Sequence, residues 1–319
     1  MKKFLNKISQ FLSLPIFILL ISFYSHYKYP LMSDYDYDSG LRLKYQLLEK
    51  NKDQKKIILI GGSNLSMGIN SSQIKSSFLD YQIINLGHRF QYGLNFYINL
   101  IKPFLNKNDI VLIVPEYQLI LDDYFGNQNL AKVRLEKLNY SNFKIDLSPR
   151  DVLSYINQRI RFLNKLKNGS FPDKENHNRI DAFNEFGDCN AHWFWNSKKH
   201  LQYRDPSTIK IIESQYFKEF ITNYRKKGIQ FVLIPPMYEK NSFELSKKLI
   251  DENIKFYKKS KLDYAYPIDK MVLDSNYFYD SPYHLLHEGI KIKTNKIISI
   301  LRNELKTRTH NNVFKKKRF

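Results

Sequence analysis

Three residue types that together make a nucleophilic relay stand far apart in this chain. Ser63 closes the run IILIGG at positions 57–62, and small residues follow it. Asp280 and His284 lie four positions apart in FYDSPYHLLHEG, just before a helical pattern. A serine hydroxyl is a weak nucleophile until a base takes its proton, and the base works best when a carboxylate orients its ring. One short loop can bring both groups to a serine at a strand end. Gly-Gly-Ser alone is an ordinary turn, so the reading depends on these partners. Two other functions are excluded by pattern. No G-x-x-x-x-G-K-[ST] phosphate loop follows, and Gly61, Gly62 and Gly68 have the wrong spacing for a dinucleotide fingerprint. Nor is this the G-x-S-x-G nucleophile elbow, because position 65 is Leu.

The elements that must position these residues alternate. KIILIGG, YQIINLG, DIVLIVPEY and IQFVLIPPMY read as apolar strands. SSQIKSSFL, QYGLNFYINLIKPFL, QYFKEFITNYRKKG, SFELSKKLIDENIKFYKKS and EGIKIKTNKIISILRNELK read as helices between and after them. Continuous apolar strands separated by amphipathic helices predict a parallel sheet covered on both faces, in an α/β/α, doubly wound arrangement. Ligands in such sheets bind beyond the carboxyl ends of the strands, where Ser63, Gly87 and Glu116 all fall. The stretch from about 122 to 206 holds no evident strand and is too long for an ordinary connection. It reads as a mostly helical insertion, a lid or substrate platform. Domain boundaries follow: an anchor at 1–28, a linker and short helix at 29–54, the main domain at 55–310 and a basic tail at 311–319.

In this order the blocks resemble the SGNH (GDSL-like) hydrolase superfamily, and more closely its membrane-anchored bacterial branch associated with polysaccharide and cell-envelope modification. Gly61-Gly62-Ser63-Asn64 stands where that family has G-D-S after a strand. INLG, ending at Gly87, matches its second block, and Asp280 and His284 before a helix match its last. The resemblance spans 57 to about 305. It implies Ser63 as nucleophile, His284 as general base and Asp280 as its orienter, with the backbone N–H groups of Ser63 and Gly87 facing the oxyanion. The implied activity is an extracytoplasmic esterase or O-acyltransferase that carries an acyl group, acetyl above all, on Ser63. The substrate would be an exported or envelope polysaccharide. No cofactor and no metal is implied. A transferase would also need an acyl donor or a membrane protein that supplies one.

Two departures stand out. The family's third-block Asn is replaced here by Pro115-Glu116-Tyr117, and Asn64 is the nearest stand-in donor by sequence. Three residues separate Asp280 from His284 where the family has two, with Asp274 as the fallback orienter. Glu116 suits a sugar hydroxyl or a cationic group, or is a structural charge. Arg89 suits an anionic group, or is solvated. His192, Trp193 and Trp195 are placed to stack on a sugar ring, or form ordinary packing. His287 reads as a helix-surface residue and Cys189 as a buried or idle thiol. These departures keep open a second reading, an inactive SGNH-like protein that binds glycans or scaffolds an export system.

Charge and hydropathy place the chain. Lys and Arg number 51 against 31 Asp and Glu, a net charge of +20, which favours anionic partners. No nucleic-acid-binding module is recognisable, and nucleic acid is not expected as a partner. A single cysteine excludes an intramolecular disulfide and a cysteine-based metal cage. The first 28 residues carry Lys2, Lys3 and Lys7 ahead of an apolar run at 11–24. No small-residue cleavage site follows, which favours an uncleaved signal anchor over a signal peptide. The charge asymmetry predicts a cytoplasmic N-terminus and an extracytoplasmic main domain, periplasmic or at the cell surface, held to lipid by one helix.

Overall fold

The computed structural model describes residues 2–28, 37–118, 131, 148–168, 179–197 and 215–316. In chain order the helices and strands are α1 (Lys2–Lys28), α2 (Gly40–Lys50), β1 (Lys56–Gly61), α3 (Ser63–Ser66), α4 (Ser71–Ser77), β2 (Gln82–Asn85), α5 (Leu94–Ile101) and β3 (Ile110–Val114). There follow α6 (Pro149–Lys167), α7 (Gln215–Lys226), β4 (Gln230–Leu233), β5 (Tyr238–Glu239), α8 (Lys240–Leu245), α9 (Lys247–Lys259), β6 (Val272–Leu273) and α10 (His287–Lys316).

The protein is α/β with a parallel sheet. The main sheet has the order β2-β1-β3-β4, and every neighbouring pair is parallel. β1 and β3 are central and buried at every position, which is why they read as unbroken apolar runs. Alternate strand residues feed two apolar clusters. Ile58, Ile60, Val111, Ile113 and Leu233 pack with residues of α5, α7 and α9. Ile57, Leu59, Ile110, Leu112 and Val232 pack with Ile74 of α4 and with Ile290, Ile297 and Leu301 of α10. The chain leaves β1 toward β2 on one side and then returns to β3 on the other. The carboxyl ends of β1 and β3 therefore flank the point where strand order reverses, the place where open α/β sheets form a crevice.

Part of the expected insertion falls outside the described residues. Within it, α6 is helical as expected, but 179–197 is mostly loop. Asp188, Cys189 and His192 are fully buried in the body of the protein.

α1 is a helix of 27 residues with Pro15 inside it. Among the described residues no helix is long and apolar enough to cross a membrane, so the expected N-terminal transmembrane helix is not found there. Lys2, Lys3, Lys7 and Gln10 occupy its first turns. Its apolar side chains are nonetheless out in the open, with Phe11 at 79% and Leu20 at 61% exposure.

Candidate active site

Ser63 is delivered by the turn between β1 and α3. Neither glycine before it has a positive φ, so the glycines supply room, not an unusual backbone. A Cβ on Gly62 would lie 2.5 Å from Glu116 Oε1, far inside contact distance. Glu116 follows β3 and closes on this glycine. The next residue, Asn64, is held from three sides. Its backbone N–H donates to Glu116 Oε1 at 2.9 Å. Its side-chain amide donates to the Val114 carbonyl at 3.0 Å. Its own carbonyl accepts from Lys293 Nζ of α10 at 2.7 Å.

His284 reaches the serine from the loop before α10. Its Nε2 lies 2.8 Å from Ser63 Oγ, and its Nδ1 lies 2.6 Å from Asp280 Oδ1. The three-residue spacing works because the loop coils. Ser281 Oγ accepts from the His284 N–H at 3.2 Å and from the Tyr283 N–H at 3.3 Å. An antiparallel bridge between Phe278 and Leu285 ties its two ends. Asp280 and His284 thus come together as on one helical turn. Asp274, the fallback, is 71% exposed and faces Lys240. With a proton on Nδ1 held by Asp280, Nε2 is the acceptor for the serine hydroxyl, the geometry a general base requires.

A second acceptor sits on the same serine. Ser63 Oγ lies 3.0 Å from Glu116 Oε1, and Glu116 is only 2% exposed. Serine, histidine, Asp280 and Glu116 line one cavity of about 180 Å³, together with Arg89 and Tyr283. Arg89 is fixed there by Asp38 at 2.5 Å, and its guanidinium lies over the Tyr37 ring. His88 beside it is buried and stacked flat on Tyr37 with centroids 4.3 Å apart. Burial pushes its imidazole down to about 4, against the pull of Asp38.

The remaining expected donors are engaged elsewhere. The Gly87 N–H donates to Asn85 Oδ1 at 2.9 Å. A Cβ on Gly87 would stand 2.3 Å from the Leu65 Cβ, so this glycine lets β2's exit pack on the nucleophile turn. The side chain of Asn64 is fully buried and committed to Val114. Of the three named oxyanion donors, the Ser63 N–H at the start of α3 is left without a partner among the described residues. Trp193 and Trp195 do not line the cavity. Trp193 packs beside His287, whose ring Phe194 also stacks on, and Trp195 packs edge-on to Tyr279.

Four residues support the site; of these His192 was expected at a sugar-stacking position but is fully buried away from the cavity, and Asp188, Lys44 and Lys293 were not singled out from the sequence. His192 Nε2 lies 3.0 Å from both the Met67 and Leu285 carbonyls, bridging the serine turn and the histidine loop. Asp188 accepts from the Ser71 N–H and hydroxyl and from the Asn85 amide. Lys44 donates to the Asn85 and Gly187 carbonyls. Lys293 is the fourth. Buried polar groups in a basic chain carry no hydropathy signal; a polar run such as FGDCNAH in an otherwise strandless stretch is the only hint.

Lys293 makes a pH prediction. Burial pushes its ammonium down to about 7, with Glu116 opposing in part. Lys44, also buried, is pushed down to about 7. Unfolded lysines keep their proton to about 10.4. Above pH ~7 the unfolded state therefore binds more protons, and stability rises with pH; below it both states are protonated and the gain is gone. Burial pushes the Cys189 thiol up to about 12, which offsets the contribution of one of the two lysines once unfolded thiols ionise and so lessens the climb without reversing it. The urea midpoint should climb from about pH 6.5 to about pH 8.5, and Lys293→Met should flatten that climb. An unchanged slope in the variant means that the lysine is not the titrating group.

No family model matches this chain, and no curated protein does either.

Proposed function

We propose that the chain is a serine-dependent acyl esterase or O-acyltransferase of SGNH type, acting outside the cytoplasm on an exported or envelope polysaccharide. The observation that carries this reading is the unbroken relay from Ser63 Oγ through His284 to Asp280 at the open end of the sheet. The two apolar clusters fed by alternate strand residues support the three-layer, doubly wound arrangement of that family.

The chemistry balances on these residues. Ser63 Oγ bonds to the carbonyl carbon of the incoming ester as His284 Nε2 takes its proton. The tetrahedral adduct collapses, the bond to the leaving oxygen breaks, and His284 returns the proton to that oxygen. Water or a sugar hydroxyl then attacks the acyl-serine, losing its proton to His284. The Oγ–carbon bond breaks and Ser63 regains its proton. Water gives an acid; a sugar gives a new ester. Asp280 stabilises the imidazolium in both halves.

The exposed apolar side chains of α1 support attachment to a lipid surface, with the basic start inside. A second reading is a catalytically silent glycan-binding or scaffolding relative. It is favoured by Glu116 at the position of the family's amide donor and by the engaged Gly87 N–H.

A fluorophosphonate probe on the full chain decides between them. We expect labelling of the wild type and none in Ser63→Ala. A wild type that stays unlabelled, with its helical circular dichroism intact, makes the silent reading the better one.

A further inference from the structure

Glu116 is out of place beside a serine nucleophile. Ester attack builds negative charge on the carbonyl oxygen, and catalysis gains from donors aimed at that charge. Here a carboxylate oxygen lies 3.0 Å from the attacking Oγ. The same oxygen, Oε1, receives both donors, the Ser63 hydroxyl and the Asn64 N–H. The second oxygen, Oε2, has no hydrogen-bond partner among the described residues, and the side chain lines the cavity. Nor does any Lys or Arg among the described residues form an ion pair with it. Lys293, whose ammonium acts on it through space, spends its hydrogen bonds on the Asn64 carbonyl and side-chain oxygen. Arg89 is held by Asp38. A nearly buried carboxylate without a direct ion pair is costly, and in a walled site its field is weakly screened.

We propose that the acyl group carried on Ser63 bears an ammonium, as in an α-aminoacyl ester, and that Glu116 selects it. A nitrogen two bonds from the acyl carbon is within hydrogen-bond reach of a carboxylate that already touches the serine oxygen. The ammonium supplies a direct ion pair to Glu116 and offsets its field at the developing oxyanion. A sugar hydroxyl would satisfy Oε2 but leave the charge unmatched. The ammonium is a spectator: the bonds that form and break are those of the acyl transfer above. The inference rests on that reading of Ser63 and replaces acetyl with a charged acyl group of similar size.

The test uses the p-nitrophenyl esters of glycine and propionate on the full chain, at about pH 6.5, where an α-ammonium is held. The two acyl groups differ by an ammonium in place of a methyl. Spontaneous hydrolysis is subtracted, and the ratio of kcat/KM values is compared between proteins, which cancels the intrinsic reactivity of the glycyl ester. In Glu116→Gln the ratio should fall at least about tenfold, through faster propionyl turnover and slower glycyl turnover. Glu116→Asp should hold it near the wild-type value. On the wild type alone, glycinamide should slow fluorophosphonate labelling and propionamide at equal concentration should not. An unchanged ratio in a labelled Glu116→Gln protein, or equal slowing by the two amides, overturns the ammonium site and leaves the serine relay standing. Absence of labelling in the wild type overturns the relay itself.

Discussion

Replacing His284 with Ala slows fluorophosphonate labelling of Ser63 by about three orders of magnitude, within the range that a positioned general base contributes. The expectation follows from proton accounting. Ser63 Oγ has one proton and two acceptors, His284 Nε2 at 2.8 Å and Glu116 Oε1 at 3.0 Å. Without the imidazole, the one acceptor left on the hydroxyl is Glu116, which has no second group to orient it as Asp280 orients the imidazole. The fold should survive, because the ring is partly open to the cavity and its loop is held by Ser281 and the Phe278–Leu285 bridge. Asp280→Asn should slow labelling less than His284→Ala does. An amide oxygen can still accept the Nδ1 proton, and only the charge that stabilises the imidazolium is lost. Equal labelling of wild type and His284→Ala would mean that Glu116, not His284, is the working base.

What the sequence made legible follows from where its signal lies. β1 and β3 were readable because a central parallel strand is apolar on both faces, and the edge strands β2 and β4 because short apolar runs there end in turns; Ser63 and His284 were readable as partners across that frame. The two-residue strands β5 and β6 were not, since so short a pairing carries no periodicity. The packing of the loop at 179–197 into the body of the protein was not legible because its burial is polar. Asp188 and His192 are buried by hydrogen bonds to the serine turn and its neighbours, which no hydropathy pattern registers. Glycines misled in kind, not in place. Gly62 and Gly87 are where a site glycine was expected, yet one makes room for Glu116 and the other for Leu65. The three residues between Asp280 and His284 stood out as a departure; the Ser281 turn absorbs the extra one.

The largest stability effect is expected at the opposite end of the sheet. Lys56 Nζ and Asp109 Oδ2 are 2.8 Å apart, and both side chains are fully buried. Asp109 also accepts the backbone N–H of Lys56 at 3.0 Å and of Asn106 at 2.8 Å. It therefore fastens the start of β1 to the approach of β3. Asp109→Ala leaves a lysine ammonium buried with only the Lys52 and Gln54 carbonyls for company. Removing one partner of such a pair costs about 3–5 kcal/mol, because the other charge stays desolvated. The urea midpoint should fall accordingly. Replacing both, Lys56→Met with Asp109→Leu, removes the stranded charge and should recover most of that loss. Recovery will be incomplete to the extent that the two backbone N–H groups lose their acceptor. Ser63 labelling in the double variant should match the wild type, since the pair lies at the amino ends of the strands and the relay at their carboxyl ends. A double variant as unstable as Asp109→Ala would place the anchoring in the backbone hydrogen bonds and not in the charge pair.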